Sequence, residues 1–432
     1  MQSKIVIVGG GAGGLELACK LGRKLGPSNV TLVDSRLYHI WKPSLHEVAA
    51  GTLDIHQEGL SYQMLAHDNG FTFLYGPLIA LDTVNRTVGI GAILSDVAEE
   101  IVPQRVVTYG SLVMSVGSTS NYFGVPGAKD HTISLNATED AERFRLKLLK
   151  LLTNVELRKD KEPDAGVNIV IIGGGATGVE LAAELREASG VYATYGFHRL
   201  NAIKDVRITL LEGAPRILAP LPERVSNAAL KLLNQRGIEV VTDTRVTSID
   251  AHQVSVATGA VYPADICVWA AGIKAPDLLA TLGLPTTRSG QIDVDGTLAV
   301  KGVPHVYALG DCAACIDGNG KPVPPRAQAA HQQADYLLKN FMLLEAGKPV
   351  QSKQYIYRDY GSLVSLGTST SVGSLMGSLK GLSWFVEGFF ARLMYVSLHL
   401  MHHQAVLGTV RTGVLAVARF LIKRTTPLVK LH

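Results

Sequence analysis

The chain has 432 residues, 18% of them charged, and a formal net charge of +4, and this length predicts two or three domains. Four cysteines are too few for a disulfide scaffold, and the first apolar run reads as a buried strand, so we expect no signal peptide. The positive charge is local, since residues 379–432 carry seven Lys or Arg and one Glu, and residues 1–378 have a balance of −2. We therefore expect no nucleic-acid partner.

The chain begins with a strand, a glycine turn and the start of a helix. Residues 4–8 form the β-branched run of a buried parallel strand and lead into a GxGxxG pattern at Gly9, Gly11 and Gly14. Gly9 allows the turn, Gly11 lets the backbone approach a pyrophosphate, and Gly14 lets the helix pack on the strand. The next strand ends at Asp34, twenty residues after Gly14, where a carboxylate accepts ribose hydroxyls. The pattern predicts a dinucleotide site, with a ligand-free glycine turn as the alternative.

An apolar, aromatic loop follows at residues 41–43, Trp-Lys-Pro, which we interpret as a cofactor contact, with a plain surface connection as the alternative. Short strands near 71–74, 78–82 and 87–90 predict an antiparallel meander. A buried strand over 111–118 ends in Gly117 and Ser118, at the kind of strand end where open α/β sheets hold ligands. An amphipathic helix over 137–152 and a polar linker over 156–164 complete this part.

The opening pattern returns at residues 167–178. A buried strand leads into Gly173, Gly175 and Gly178, and the next strand of this unit ends at Glu212. Two such fingerprints imply two nucleotide sites. The Glu212 carboxylate should repel a ribose 2′-phosphate, which favours NADH over NADPH. For Glu212, as for Asp34, an ordinary acid at a strand end is the alternative.

Two further strands and a helix follow. The strands span 264–272, ending in Ala271 and Gly272, and 305–311, ending in Gly310 and Asp311. A helix is predicted from Pro325 to about residue 345, since proline suits a first helical turn. The nearby pair of Cys312 and Cys315 could be a redox dithiol or half a metal site, but its position favours packing.

From Trp384 onward the sequence becomes apolar and basic, without a clean membrane span. Aromatic and apolar residues are dense at Trp384, Phe385, Phe389, Phe390, Leu393 and Met394. Farther on, one helical face carries Val414, Val417, Ala418 and Leu421, and the opposite face carries Arg419 and Lys423. This arrangement predicts a helix lying in an anionic bilayer surface, with a dimerisation or core helix as the alternative.

This order of motifs resembles the two-dinucleotide flavoprotein disulfide reductase superfamily. Within it, five segments are similar to proteobacterial type II NADH:quinone oxidoreductases. They are the loop Trp41-Lys42-Pro43, the run Leu45-His46-Glu47-Val48, residues 269–274, Ala327-Gln328 with Gln332, and the tail. The resemblance covers essentially the whole chain and implies an α/β fold with two Rossmann-like dinucleotide-binding domains. The FAD domain, 1–120 and 291–378, would be split by an inserted NADH domain, 121–290, and amphipathic membrane-anchoring helices would occupy 379–432.

The resemblance also implies site residues, with no metal ligands among them. FAD would be bound by Gly9, Gly11, Gly14, Asp34, Lys42, Pro43, Gly117, Gly310, Asp311 and Ala327. NADH would be bound by Gly173, Gly175, Gly178, Glu180, Glu212, Ala271 and Gly272. The catalytic residues would be Glu180, Gln328 and Gln332. Glu180 would position the nicotinamide or relay a proton to quinone, or is an ordinary acid at a helix start. Gln328 would hydrogen-bond a quinone carbonyl or merely cap its helix.

The implied activity is NADH oxidation by hydride transfer to FAD and transfer of two electrons to a membrane quinone without proton pumping. The implied setting is the cytoplasmic face of a bacterial inner membrane, with a peripheral homodimer that uses ubiquinone rather than menaquinone. A flavoprotein that reduces a soluble acceptor such as ferredoxin and a non-catalytic redox sensor remain as alternatives. Residues 20–266 contain no cysteine. This excludes the dithiol that soluble disulfide reductases carry on the helix after strand two. It also disfavours a sulfide:quinone reductase, which uses well-separated cysteines near the flavin.

Overall fold

The computed structural model describes residues 2–350, 353–367, 371–376, 383–422 and 429–430. Its α-helices are α1 (Ala12–Leu25), α2 (Leu45–Ala50), α3 (Ile55–Glu58), α4 (Tyr62–Asn69), α5 (Ala128–His131), α6 (Thr138–Arg158), α7 (Ala176–Thr194), α8 (Glu223–Gln235), α9 (Ala327–Glu345), α10 (Phe389–Leu407) and α11 (Thr409–Ile422). Short 3-10 helices span Lys42–Ser44, Asp277–Thr281 and Gly310–Cys312.

The first sheet is centred on the strand Gln2–Val8. Its order is Thr72–Tyr75, Val30–Asp34, Gln2–Val8, Arg105–Met114, Thr87–Ile90 and Leu78–Asp82, and Val306–Ala308 also pairs with Arg105–Met114. The pairings among the first four strands and that of Val306–Ala308 are parallel, and those of the last two strands are antiparallel. The chain therefore leaves this sheet and returns to it after building another.

The predicted three-stranded meander is wrong in one strand. Leu78–Asp82 and Thr87–Ile90 form an antiparallel pair, but Thr72–Tyr75 lies parallel to Val30–Asp34 at the other edge of the sheet. The reason is helix α4, which lies between those two strands in sequence, because a helical crossover returns the chain in the same direction.

The second sheet is entirely parallel. Its order is Ile133–Ser134, Ile266–Trp269, Val167–Ile172, Val206–Leu211 and Ile238–Val241. An antiparallel sheet follows it, built from Val246–Ile249, Gln253–Val256 and Val261–Pro263. Helix α6 extends six residues beyond its predicted end, because buried Val155 continues its apolar face into the predicted linker.

Two hydrophobic cores fix how the units meet. One joins the first sheet to α1 and α9, and includes Leu15, Leu32, Ala334 and Leu337. The other lies under the second sheet, and it includes Val48 of α2. Helix α2 follows the first dinucleotide unit in sequence, yet it packs against α6 and α7 of the second unit. This packing attaches a segment that follows the first glycine loop to the helix that follows the second one.

The C-terminal part is a small sheet followed by two helices. Strands Gly361–Ser365, Ser371–Met376 and Ser383–Gly388 form an antiparallel sheet. The expected membrane segment therefore begins in a strand, since Trp384 and Phe385 lie in Ser383–Gly388 and the helical part begins at Phe389. Aromatic and β-branched residues favour strands where a partner strand is available. Among the described helices, none has both the length and the apolar character to cross a bilayer.

The remaining strands form two-stranded pairs. They are Tyr38–His39 with Leu60–Ser61, Ile93–Leu94 with Glu100–Val102, Thr119–Ser120 with Ile273–Lys274, and Ile292–Asp293 with Ala313–Ala314. Thr119–Ser120 with Ile273–Lys274 brings the segment after the first sheet beside the segment that leaves the second sheet.

Candidate dinucleotide and redox site

The two glycine loops turn a strand into a helix in the same way. Gly9 and Gly173 have φ angles of +103° and +111°, a region that favours glycine. A Cβ added at Gly14 or Gly178 would lie 2.0 Å from the carbonyl oxygen of Gly9 or Gly173. Both glycines of each pair are therefore required by the backbone itself.

The middle glycine of each loop has a different environment. A Cβ on Gly11 or Gly175 would meet nothing within 4 Å. These residues are the N-caps of α1 and α7, and no side chain caps either helix. Each helix thus directs its first N–H groups and the positive end of its dipole toward open space, which fits a dinucleotide pyrophosphate.

The acid at the end of each second strand makes the same contact. Oδ2 of Asp34 accepts a hydrogen bond from the Gly10 N–H at 2.6 Å, and Oε2 of Glu212 accepts one from the Gly174 N–H at 2.5 Å. Burial raises the pKa of Asp34, and the N–H of Gly10 opposes that rise. Each acid therefore lies beside its glycine loop.

Several of the predicted FAD contacts lie together at the end of the first sheet. Oδ2 of Asp311 accepts a hydrogen bond from Ser118 Oγ at 2.7 Å, and Lys42 Nζ donates to the Ser118 carbonyl at 3.1 Å. Burial lowers the pKa of Lys42, and Asp311 opposes that effect. Pro43 lies in the 3-10 helix with Lys42, and Gly117 precedes Ser118 with a φ of +71°.

Helix α9 begins at Ala327, so the predicted start at Pro325 is wrong by two residues. Arg326 is the N-cap, with extended backbone at φ −140°, and Pro325 lies outside the helix. Gln333 of α9 accepts a hydrogen bond from the Gly310 N–H at 2.7 Å. That bond ties the helix to the turn carrying Gly310.

The two predicted quinone-site glutamines bind the start of strand Gly361–Ser365 and the segment before it. Gln328 Nε2 donates to the Gly361 carbonyl at 3.0 Å. Gln332 Nε2 donates to the Arg358 carbonyl at 2.8 Å, and its Oε1 accepts from the Arg358 N–H at 3.0 Å. Gln328 therefore does not cap its helix, and that alternative is wrong.

Glu180 lies at the other end of the same strand. Its Oε1 accepts a hydrogen bond from the Ser365 N–H at 3.0 Å, and its Oε2 lies 3.8 Å from Nδ1 of His46. Burial raises the pKa of Glu180 to about 7, and His46 and the Ser365 N–H oppose the rise. The strand Gly361–Ser365 thus links Gln328 to Glu180.

Ala271 and Gly272 lie beside the second glycine loop. Trp269 Nε1 donates to the Ala271 carbonyl at 2.7 Å, and the Ala271 nitrogen is 2.7 Å from where a Cβ of Gly173 would lie. Gly272 has a φ of +66°, and a Cβ there would lie 2.4 Å from the Phe123 ring. Ala271 is therefore packed against the turn of the second glycine loop, and Gly272 follows it in the chain.

Two contacts of the first loop, and a third contact made by one of the residues that bind it, were not anticipated from the sequence. The Gly10 carbonyl accepts from Tyr62 Oη at 2.7 Å and lies 3.0 Å from His39 Nδ1, which must donate because a carbonyl only accepts. His39 Nε2 is then an acceptor, and His402 Nε2 of α10 donates to it at 2.9 Å. The available signal was the aromatic character of the loop after Asp34, of which we used only residues 41–43.

Cys312 and Cys315 are both buried, and Cys312 Sγ donates to the Leu309 carbonyl at 3.2 Å. Burial raises the pKa of each thiol to about 12. Redox chemistry needs the thiolate, which these thiols do not form near neutral pH. The environment of the pair agrees with a packing role.

Comparison with known proteins identifies the family. A model of the pyridine nucleotide-disulphide oxidoreductases matches residues 3–334. A type II NADH:quinone oxidoreductase of Haemophilus influenzae is 38% identical with full coverage of both chains, and demethylphylloquinone reductase NdbB of Synechocystis is 30% identical over 87% of each. The structure of NDH2 from Plasmodium falciparum in complex with NADH has the same fold, with a TM-score of 0.84 at 19% identity and full coverage of both chains. The chain therefore belongs to the pyridine nucleotide-disulphide oxidoreductases and, within them, to the type II NADH:quinone oxidoreductases.

Proposed function

We propose that this chain oxidises NADH and reduces a membrane quinone, with FAD as its bound cofactor. The observation that carries the proposal is the pair of glycine loops with open middle glycines, Gly11 and Gly175, with the strand Gly361–Ser365 bridging α7 of the second loop and α9, which packs on α1 of the first. When bound, FAD supplies the redox chemistry by accepting two electrons from NADH and giving them to a quinone. We assign residues 1–120 and 291–378 to the FAD domain and 121–290 to the NADH domain, which the return of Val306–Ala308 to the first sheet supports.

In this proposal the first loop holds FAD. The N–H groups after Gly11 bind its pyrophosphate, Asp34 accepts ribose hydroxyls, and Asp311 contacts the ribitol. We assign the N-terminus of α9, at Ala327, to the flavin pyrimidine ring. A helix start carries roughly half a positive charge, which stabilises negative charge placed there.

The second loop holds NADH, with Gly175 at the pyrophosphate and Glu212 at the ribose. Ala271 and Gly272 contact the nicotinamide half. Glu180 positions the nicotinamide and exchanges a proton during quinone reduction, and its raised pKa of about 7 supports this role.

We propose that Gln328 and Gln332 bind the quinone, for which ubiquinone is our assignment. The Gln328 amide now donates to the Gly361 carbonyl, so binding a quinone carbonyl would exchange one bond for another. A change of hydrogen bond at this end of the strand would affect Glu180 at the other end, because Glu180 accepts a hydrogen bond from the Ser365 N–H.

The membrane contact in this proposal is an apolar stripe on α11. Val410, Val414, Val417 and Leu421 recur at helical spacing and are 57–80% exposed. The expected basic face is not free, because Arg411 pairs with Asp68 and Arg419 pairs with Glu58. Lys423 lies outside the described residues. We propose that the stripe inserts at the cytoplasmic face of a bacterial inner membrane and that the protein is a homodimer there.

Steady-state kinetics with the purified FAD protein tests the function. We expect NADH oxidation that depends on a short-chain ubiquinone, and slower turnover with a menaquinone analogue or with ferredoxin. Bleaching of the flavin by NADH without reoxidation by any quinone would overturn the proposal. That outcome would favour a redox sensor, whereas fast reduction of ferredoxin alone would favour the soluble-acceptor alternative.

A further inference from the structure

A cluster of metal-ligating side chains lies between α3 and α10. His399 and His403 are one helical turn apart on α10, and Glu58 is the last residue of α3. Their ligand atoms all lie within 4.8 Å of one another. Two imidazoles and one carboxylate are a ligand set that proteins use for Zn²⁺. None of the three belongs to the redox site described above.

The histidines present the correct nitrogen to this cluster. His403 Nδ1 lies 3.0 Å from the His399 carbonyl and must donate to it, which leaves the lone pair on Nε2. Metal-ligating histidines are oriented in this way by a carboxylate, a backbone carbonyl or a water that binds the second ring nitrogen.

A cation already lies among the three side chains. Arg419 of α11 pairs with Glu58, and its guanidinium nitrogens lie 3.4 Å from His399 Nε2 and 3.3 Å from His403 Nε2. Because a guanidinium can only donate hydrogen bonds, both Nε2 atoms act as acceptors. The site is therefore shaped for positive charge.

A small cavity adjoins the cluster. Its volume is about 10 Å³, and its walls include all three side chains together with Trp41. This volume admits one water-sized atom. Ligand atoms around Zn²⁺ lie about 3.4 Å apart, given bonds of about 2.1 Å. The ligand atoms of the three side chains therefore need to approach one another by up to about 1.4 Å once the guanidinium withdraws.

We propose that Glu58, His399 and His403 form a binding site for a divalent transition metal ion of the Zn²⁺ type, in exchange with the Arg419 guanidinium. The ion takes one carboxylate oxygen and two Nε2 atoms, and water completes the coordination. Arg419 loses its pairing with Glu58 when the ion binds. Since that pairing docks α11 against α3, metal binding weakens the attachment of α11.

Zn²⁺ titration of the full-length FAD protein against a chromogenic chelator tests this site. We expect one Zn²⁺ per chain whose binding weakens at least about a hundredfold in His399→Gln and in His403→Gln. Arg419→Gln should bind Zn²⁺ at least about tenfold more tightly than the wild type, because it removes a competing cation at hydrogen-bond distance. The matched control is Arg411→Gln, which removes the other described ion pair of α11, with Asp68, and should leave Zn²⁺ affinity unchanged.

Two results would overturn the proposal. One is Zn²⁺ binding that persists in both histidine variants, which would place the ion elsewhere. The other is an Arg419→Gln variant that binds no more tightly than the wild type. Flavin absorbance and far-UV circular dichroism of each variant establish that it is folded. Because His399 is only partly buried, we expect His399→Gln to fold, and this variant alone tests the site if His403→Gln does not fold.

Discussion

Nδ1 of His46 lies 3.8 Å from a carboxylate oxygen of Glu180, and both residues are buried. His46 belongs to α2, after the first glycine loop, and Glu180 to α7, after the second. Nε2 of His46 is buried without a hydrogen-bond partner among the described residues. The two units thus meet at an acid whose pKa is raised to about 7 and an imidazole whose Nε2 lies 4.0 Å from Oε1 of Glu47. The raised pKa of Glu180 suits the proton exchange proposed for this carboxyl group.

A Glu180→Gln variant should lose this exchange while keeping the acceptor for the Ser365 N–H. We expect kcat with quinone to fall by about a hundredfold and the inflection near pH 7 in its pH profile to vanish. Stopped-flow measurement of flavin reduction by NADH distinguishes the two roles of Glu180, since a role at the nicotinamide affects this step and a role in quinone reduction does not. The control is Glu184→Gln, one turn along α7, which accepts instead from Thr52. An unchanged pH profile in Glu180→Gln would leave Glu180 a structural residue.

The stability of the protein should depend on the protonation of the Glu180 carboxyl group. Burial raises the pKa of Glu180 from 4.5 to about 7, so between these values the native state holds a proton that the unfolded state has lost. Stability contributed by this group therefore falls as pH rises through that window. Thermal unfolding should show wild-type Tm falling relative to Glu180→Gln by about 2 °C or more between pH 5 and pH 8. A constant difference would contradict the assignment.

Alanine substitutions at different glycines of the two loops should have different effects, on folding at one position and on nucleotide binding at another. Gly11→Ala adds a Cβ with no neighbour within 4 Å, so we expect a folded protein that retains less FAD. Gly14→Ala puts a Cβ 2.0 Å from the Gly9 carbonyl oxygen and should prevent folding. Gly175→Ala should keep FAD and raise KM for NADH about tenfold. Flavin content and circular dichroism measure these outcomes, and full FAD retention in Gly11→Ala would refute the assigned role.

The sequence predicted the glycine loops well because each is a local pattern of strand, turn and helix. It did not predict the partners of Gly10, since Tyr62 and His39 reach it only through the folding of a distant loop. The link from Gln328 to Glu180 was not predicted from the sequence for the same reason. It depends on the strand Gly361–Ser365, whose pairing with Ser371–Met376 places it against α7.

Discrimination between NADH and NADPH should depend on the charge of Glu212. Glu212→Gln keeps an acceptor for the Gly174 N–H but removes the charge that repels a 2′-phosphate. We expect the ratio of kcat/KM for NADPH to that for NADH to rise about tenfold, equivalent to about 1.4 kcal/mol. Asp34→Asn, at the equivalent position of the FAD loop, should not change this ratio. An unchanged ratio in Glu212→Gln would remove Glu212 from the ribose site.

Membrane binding should depend on the exposed stripe of α11 rather than on its arginines. The double variant Val414→Glu/Val417→Glu places two charges where 66% and 61% of the residue surface is exposed, so folding should survive while vesicle flotation falls about tenfold or more. The matched control is Val84→Glu/Val97→Glu, which alters valines exposed by 89% and 75% outside the C-terminal helices. Because Arg411 and Arg419 pair with acids of the body, we expect wild-type protein to bind neutral vesicles as well as anionic ones. Flotation that survives the double variant, with loss of the dimer in sedimentation, would instead assign the stripe to an interface between subunits.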